Sequence, residues 1–199
     1  MTSPQLPPLE RHPFPPFCPP DAKVLLMGTF PPQPHRWAMN FYYPNRTNDF
    51  WRVMGIIFYD DPLRFYQSDS KGYREDEIRT FLTEKGIALH DTGAAIRRLR
   101  DNASDKFLEI VEPVDLGALL DRMPRCRFIG TTGEKAAQVI AGLTGSDVPR
   151  IGEIVDVRDS HYGRPLHITR LPSTSRAYPL SPVKKAEAYR AFFHQAGVI

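Results

Sequence analysis

Four short stretches of this 199-residue chain carry side chains suited to chemistry. Asn48 stands just ahead of the pair Phe50-Trp51. Its amide has an acceptor and two donors, so it can hold a water or bond the polar edge of a ligand; Asn is also among the best helix N-caps, and the two uses are compatible. His90-Asp91 closes an apolar run, where a carboxylate can orient a water or stabilise developing positive charge, or can cap a neighbouring loop. Tyr42-Tyr43 sits in a loop rich in aromatics and Asn, so either ring can stack on a planar ligand or pack on the core. Ser173-Thr-Ser-Arg176 follows another apolar run. Its hydroxyls and amides suit phosphate oxygens, and Arg176 can fork onto phosphate or stack on a flat group. A Ser-Thr-Ser loop ahead of a helix can also be capping alone.

Other chemistries do not fit the pattern. There is neither GxGxxG nor GxxxxGK[ST], and Gly130-Thr-Thr-Gly-Glu-Lys135 has the wrong spacing for a phosphate loop. No G-x-S-x-G elbow exists for a serine hydrolase. The six histidines are scattered, and Cys18 and Cys126 are too far apart for paired metal ligands, so no metal and no other cofactor is expected. Two lone thiols fit a reduced, cytoplasmic setting. No secretory leader is expected, and no apolar run reaches the about twenty residues of a membrane span. A net charge of +3 permits a polyanionic partner without requiring one. The one dense basic run, Arg97, Arg98 and Arg100, reads as a solvated helix face.

The elements that must position these residues follow from apolar periodicity. Lys23–Gly28, Gly86–Asp91 and Arg127–Gly130 read as buried strands, and Glu153–Arg158 with Pro165–Leu171 flanks a turn at Ser160–Gly163 as a hairpin. Helices are expected through Phe50–Phe58, capped by Thr47 or Asn48, over Glu75–Lys85, Val114–Met123 and Glu134–Leu143, and over Ser181–Ala196. Strands alternating with helices imply a three-layer α/β/α domain with a mainly parallel central sheet, and ligands of such sheets sit outside the carboxyl ends of the strands. Residues 28–48, 90–105, 130–134 and 172–178 are then the loops to search. Eight of the twenty prolines lie in residues 1–20, which reads as an extended arm, wrapped or loose, ahead of a single domain over residues 21–199.

Gly28-Thr-Phe-Pro-Pro32 after the first strand, Tyr42-Tyr43 followed by Asn48-Asp-Phe-Trp51, and Leu171-Pro-Ser-Thr-Ser-Arg-Ala177 after the last strand occur in that order. Together they resemble the uracil-DNA glycosylase superfamily, most closely its mismatch-specific and hypoxanthine-DNA glycosylase branches, from about Lys23 to the end. The resemblance implies that Gly28, Thr29 and Phe30 form one wall of a base pocket, that Tyr43 with Tyr42 beside it stacks on the extruded base, and that Asn48 takes part in catalysis. It also implies that Ser173, Thr174, Ser175 and Arg176 enter the duplex and support the extruded nucleotide. Asp91 is the second candidate catalytic group. The implied activity is a monofunctional DNA glycosylase of base excision repair, monomeric and free of cofactors, whose partner is DNA carrying a damaged or mismatched base. Phe30 departs from the pattern, because the mismatch-specific branch has a catalytic Asn there and a phenyl ring cannot hold a water. The alternative is therefore a catalytically inactive nucleobase- or DNA-binding relative of the same fold.

Overall fold

Every residue of Val24-Leu-Leu-Met-Gly28 is buried, as required of a strand paired on both edges and covered on both faces. The computed structural model describes residues 6–67, 69, 71–100 and 105–199. That strand, β2 (Val24–Gly28), lies beside β3 (Ile87–Asp91) on one edge and β6 (Phe128–Thr131) on the other, in a five-stranded sheet ordered β3-β2-β6-β8-β7, with β8 at Leu166–Arg170 and β7 at Ile154–Val157. The first four strands run parallel and β7 pairs antiparallel with β8 as the expected hairpin.

Alternating side chains of β2 feed two cores. Val24 and Leu26 join Trp51, Val53, Phe81 and Phe193, which come from α1 (Phe50–Tyr59), α2 (Glu75–Lys85) and α5 (Pro182–Gln195). Leu25 and Met27 face Leu119, Leu120 and Ile140, from α3 (Leu116–Asp121) and α4 (Glu134–Thr144). Each fully buried Leu contributes roughly 1.5–3 kcal/mol, so β2 anchors both layers. Gly86 ends α2 at φ +67°, the left-handed geometry that lets the chain turn directly into β3.

Three expectations need correction. The strands are mixed rather than mainly parallel, because β7 runs antiparallel and a second, wholly antiparallel sheet orders β1 (Leu9–Arg11), β4 (Gly93–Arg98) and β5 (Leu108–Pro113) as β1-β4-β5. The basic run is not on a helix: Arg97 and Arg98 lie in β4, and Arg98 is buried, with its guanidinium bonding both carboxylate oxygens of Glu10. Helix α3 is also shorter than expected, with Asp115 capping it by accepting from the Ala118 amide. Residues 9–17 lie along the domain: β1 pairs with β4, and Phe17 exchanges backbone hydrogen bonds with Leu89. Among the described residues no helix is long and apolar enough to cross a membrane.

Candidate active site

The register of the parallel strands places the site. Gly28 pairs with Asp91, Met27 with Thr131 and Thr131 with Arg170, so four strands end level with one another and their following loops meet above that edge. They enclose a cleft of about 1070 Å³. Of the residues singled out by sequence, Gly28, Thr29, Phe30, Tyr43, Asn48, Asp91, Ser173, Thr174, Ser175 and Arg176 all line it.

Tyr42 is the exception. Its ring is 2% exposed in the core, and its hydroxyl lies 3.0 Å from the Pro15 carbonyl and 2.7 Å from His90 Nδ1. The reason is local: Tyr43 takes φ +52°, a left-handed turn that sends adjacent tyrosines to different places. Tyr43 reaches the cleft, with its ring flat against Phe50 at 3.7 Å and its hydroxyl 2.9 Å from Thr132 Oγ1. Burial, then the charge of Asp91, raises the Tyr43 hydroxyl's pKa, so it remains a neutral donor.

Asn48 lines the cleft one residue ahead of the helix N-cap, which is Asp49 and makes no side-chain capping bond. Its Oδ1 accepts from the Phe50 amide at 2.9 Å, a turn leading into α1 rather than the N-cap expected at Thr47 or Asn48, because the helix begins one residue later. That bond fixes the amide's orientation, and Nδ2, which has no partner among the described residues, keeps two donors for a ligand. The next residue, Asp49, ties this loop to the opposite wall. Its amide donates to the Thr174 carbonyl at 2.8 Å, and its Oδ2 accepts at 2.8 Å from Lys185, which also donates to the Ser175 carbonyl at 2.9 Å.

Asp91 is 6% exposed and its Oδ2 accepts from His12 Nε2 at 2.9 Å. Oδ1 has no hydrogen-bond partner among the described residues and lies over Gly28, where a Cβ would come within 2.5 Å of it. Glycine at 28 is therefore a steric requirement of the carboxylate's position. His90 points away from the cleft toward Tyr42, and burial first, then His12, lowers it to about 4.

The loop after β8 is organised differently. Ser173 Oγ accepts from the Ser175 amide at 3.2 Å and Ser175 Oγ accepts from the Ala177 amide at 3.3 Å, so these hydroxyls and amides are partly spent on the loop's own turn. Arg176 is exposed on the rim.

Three residues of the site were not singled out by sequence. Asp105 accepts from Thr29 Oγ1 at 2.6 Å, and burial pushes its carboxyl above the usual range, with the Thr29 bond opposing. Arg98 donates to the Pro31 carbonyl at 3.3 Å and so braces the first loop. His12 comes from the proline-rich stretch. Asp105 and Arg98 both fall in the stretch 90–105 expected as a loop, of which Gly93–Arg98 is instead strand β4 and 101–104 lie outside the described residues; nothing in local sequence marks His12 or Arg98 as facing inward.

The solution NMR structure of a "putative uracil DNA glycosylase" from Methanosarcina acetivorans is similar to this chain, with a TM-score of 0.63 and 23% identity over 94% of this chain and 98% of that one. The fold is shared. No protein-family model matches the chain, and no curated protein matches it.

Proposed function

We propose that this protein is a monofunctional DNA glycosylase that hydrolyses the N-glycosidic bond of a deaminated base, of the uracil or hypoxanthine type, drawn out of the duplex into the cleft. The observation that carries this reading is the presence in one cleft at the strand ends of two polar groups, Asp91 Oδ1 and Asn48 Nδ2, with no partner among the described residues. The likeness of fold to a protein so titled adds to it.

The chemistry follows from what each group can do. The C1′–N bond breaks with its electron pair leaving on the base, and donors from Asn48 and from the Tyr43–Thr132 hydroxyl pair stabilise that anion. The sugar becomes an oxocarbenium ion, to which the charge of Asp91 is complementary. A water adds its oxygen to C1′ and passes a proton to Asp91, and the departing base takes a proton from solvent. No step needs an amine nucleophile. Arg36, Lys106, Lys135, Arg170 and Arg176 line the cleft against Asp91, Asp105 and Glu134, a balance suited to a phosphate backbone. Extrusion costs a few kcal/mol and least at a mismatch, which favours deaminated bases.

The test is single-turnover base release on labelled duplexes bearing uracil, hypoxanthine, xanthine or only normal bases. Release of a deaminated base is expected, slowed by about a hundredfold in both Asn48→Ala and Asn48→Asp. Asp keeps an acceptor for the Phe50 amide but lacks the Nδ2 donors, so full rates in both folded variants would remove Asn48 from catalysis. A second reading rests on Phe30, whose ring lines the cleft where the resembling branch has a water-holding Asn. A binding relative would hold a lesion-bearing duplex without releasing any base.

A further inference from the structure

We propose that the N-terminal arm is part of the active centre, with His12 as a positioning residue that anchors one oxygen of Asp91 so that the other is presented to the cleft. The proposal rests on the glycosylase reading and adds to it a residue 79 positions away from the carboxylate it serves.

Strand geometry explains how an arm residue reaches so far in. Successive side chains of a strand point to opposite faces, and β1 is held on β4 with Leu9, Glu10 and Arg11 opposite Arg97, Ile96 and Ala95. The His12 amide continues that ladder by donating to the Ala94 carbonyl at 2.9 Å. Glu10 and His12 therefore share the inward side, while Arg11 points outward to Glu112. Glu10 bonds Arg98 through both oxygens, and Arg98 in turn donates to the Pro31 carbonyl. Two alternate arm residues thus brace the two loops, after β2 and β3, that form one wall of the cleft.

The His12 imidazole has no freedom to act on a substrate itself. Its side chain is 6% exposed and packs edge-on against His90 at 4.8 Å and Phe30 at 5.3 Å, with the Tyr42 ring stacked at 5.9 Å. A carboxylate only accepts, so Nε2 donates to Asp91 Oδ2. Nδ1 faces the Phe14 carbonyl at 2.9 Å and the Phe14 amide at 3.2 Å, which gives it a partner whether it donates or accepts. With Oδ2 held, rotation of the carboxylate is blocked, and Oδ1 stays over Gly28 with no hydrogen-bond partner among the described residues. A water bonded there would be oriented for the addition step and could hand its proton to Oδ1.

His12→Phe keeps a ring but removes the donor, and His12→Gln returns an N–H. Both are compared with wild type for melting temperature, for affinity toward a duplex holding a stable abasic-site analogue, and for single-turnover base release. The expected result is a rate about a hundredfold lower in His12→Phe, with affinity within about threefold of wild type, and recovery of most of the loss in His12→Gln. A folded His12→Phe with the wild-type rate, or a His12→Gln as slow as His12→Phe, overturns the positioning role. If His12→Phe does not fold, the wild-type imidazole 1H–15N spectrum decides. A His12 Nε2–H protected from exchange and lost in Asp91→Asn supports the contact, and one that exchanges as fast as free imidazole overturns it. A wild-type protein that releases no base from any lesion duplex brings down the glycosylase reading, and the catalytic role of His12 falls with it; that outcome is distinct because wild type and variants then behave alike.

Discussion

The two walls of the cleft are built on opposite plans. On the β2–β3 side, Asp91, Arg98 and the His12 side chain are buried and each has a fixed partner from another element: His12 for Asp91, Glu10 and Pro31 for Arg98. On the β8 side, Ser175, Arg176 and Ala177 are exposed, and among the described residues the Ser173 and Ser175 hydroxyls bond only within their own turn. Buried, cross-braced polar groups hold their geometry, which suits a wall that must aim a carboxylate. An exposed turn can adjust to a backbone that differs from site to site, which suits contact with phosphates. The exposed wall is fastened from below, above all by the Lys185 ammonium, which bonds Asp49 and the Ser175 carbonyl together, and also by the Asp49 amide on the Thr174 carbonyl and the Tyr189 hydroxyl on the Pro172 carbonyl.

Removing the Lys185 fastening should have the largest effect on the contrast. Lys185 is fully buried, and Lys185→Met leaves Asp49 buried without its closest cation; Arg52 stands 3.7 Å away. Breaking a buried pair from one side typically costs about 3–5 kcal/mol, and denaturant unfolding measures it. Hydrogen exchange should rise at residues 173–177 while the His12–Asp91 side keeps its protection. A loss under about 1 kcal/mol, with exchange unchanged, would mean the loop holds itself in place.

The rigid wall makes its own prediction through His90, which is packed between His12 and Tyr42. Burial lowers its pKa from the ordinary 6.5 to about 4 in the folded protein, so the unfolded chain takes up this proton first as pH falls. The stability that neutral His90 contributes is fully present above about 6.5 and is lost on descending toward 4, a change on the order of 3 kcal/mol. Asp105, whose carboxyl is pushed up by burial, works in the opposite direction as pH falls. Melting temperature followed from pH 7 to 4 should therefore fall less steeply in His90→Asn than in wild type. Parallel curves would show that His90 is not buried neutral beside His12.

Much of this plan was legible in the sequence, and the rest was hidden for identifiable reasons. Apolar runs announced β2, β3, β6 and β8, and the rule that ligands sit beyond strand ends brought Asn48, Asp91 and Ser173–Arg176 into one cleft. Adjacent tyrosines could not be told apart, because only the left-handed turn at Tyr43 separates core from cleft. Arg98 in a basic run has the composition of a solvated face, and its burial depends on Glu10, 88 positions earlier. Strand β1 hid in a proline-rich stretch because three residues, Leu9–Arg11, are too few to show a period. What escaped was therefore long-range pairing of charged groups, which local pattern does not encode.

The smallest predicted effect tests whether the exposed wall meets DNA at all. Arg176 is on the rim, and no partner for it is found among the described residues, so Arg176→Ala should leave folding unaltered. A guanidinium on a phosphate displaces about one counterion, so the variant's dependence of log affinity on log salt should be shallower by about one, with binding weakened several-fold at low salt. The rate of base release from saturated complex should stay near wild type, since the proposed chemistry rests on groups of the other wall. If Arg176→Ala leaves the salt slope intact but slows release, the guanidinium fills the space left by the extruded base, and the division of labour between the two walls is wrong at this residue. If neither changes, the turn lies outside the interface and the phosphate contacts must be sought at Arg36 and Lys135 across the cleft.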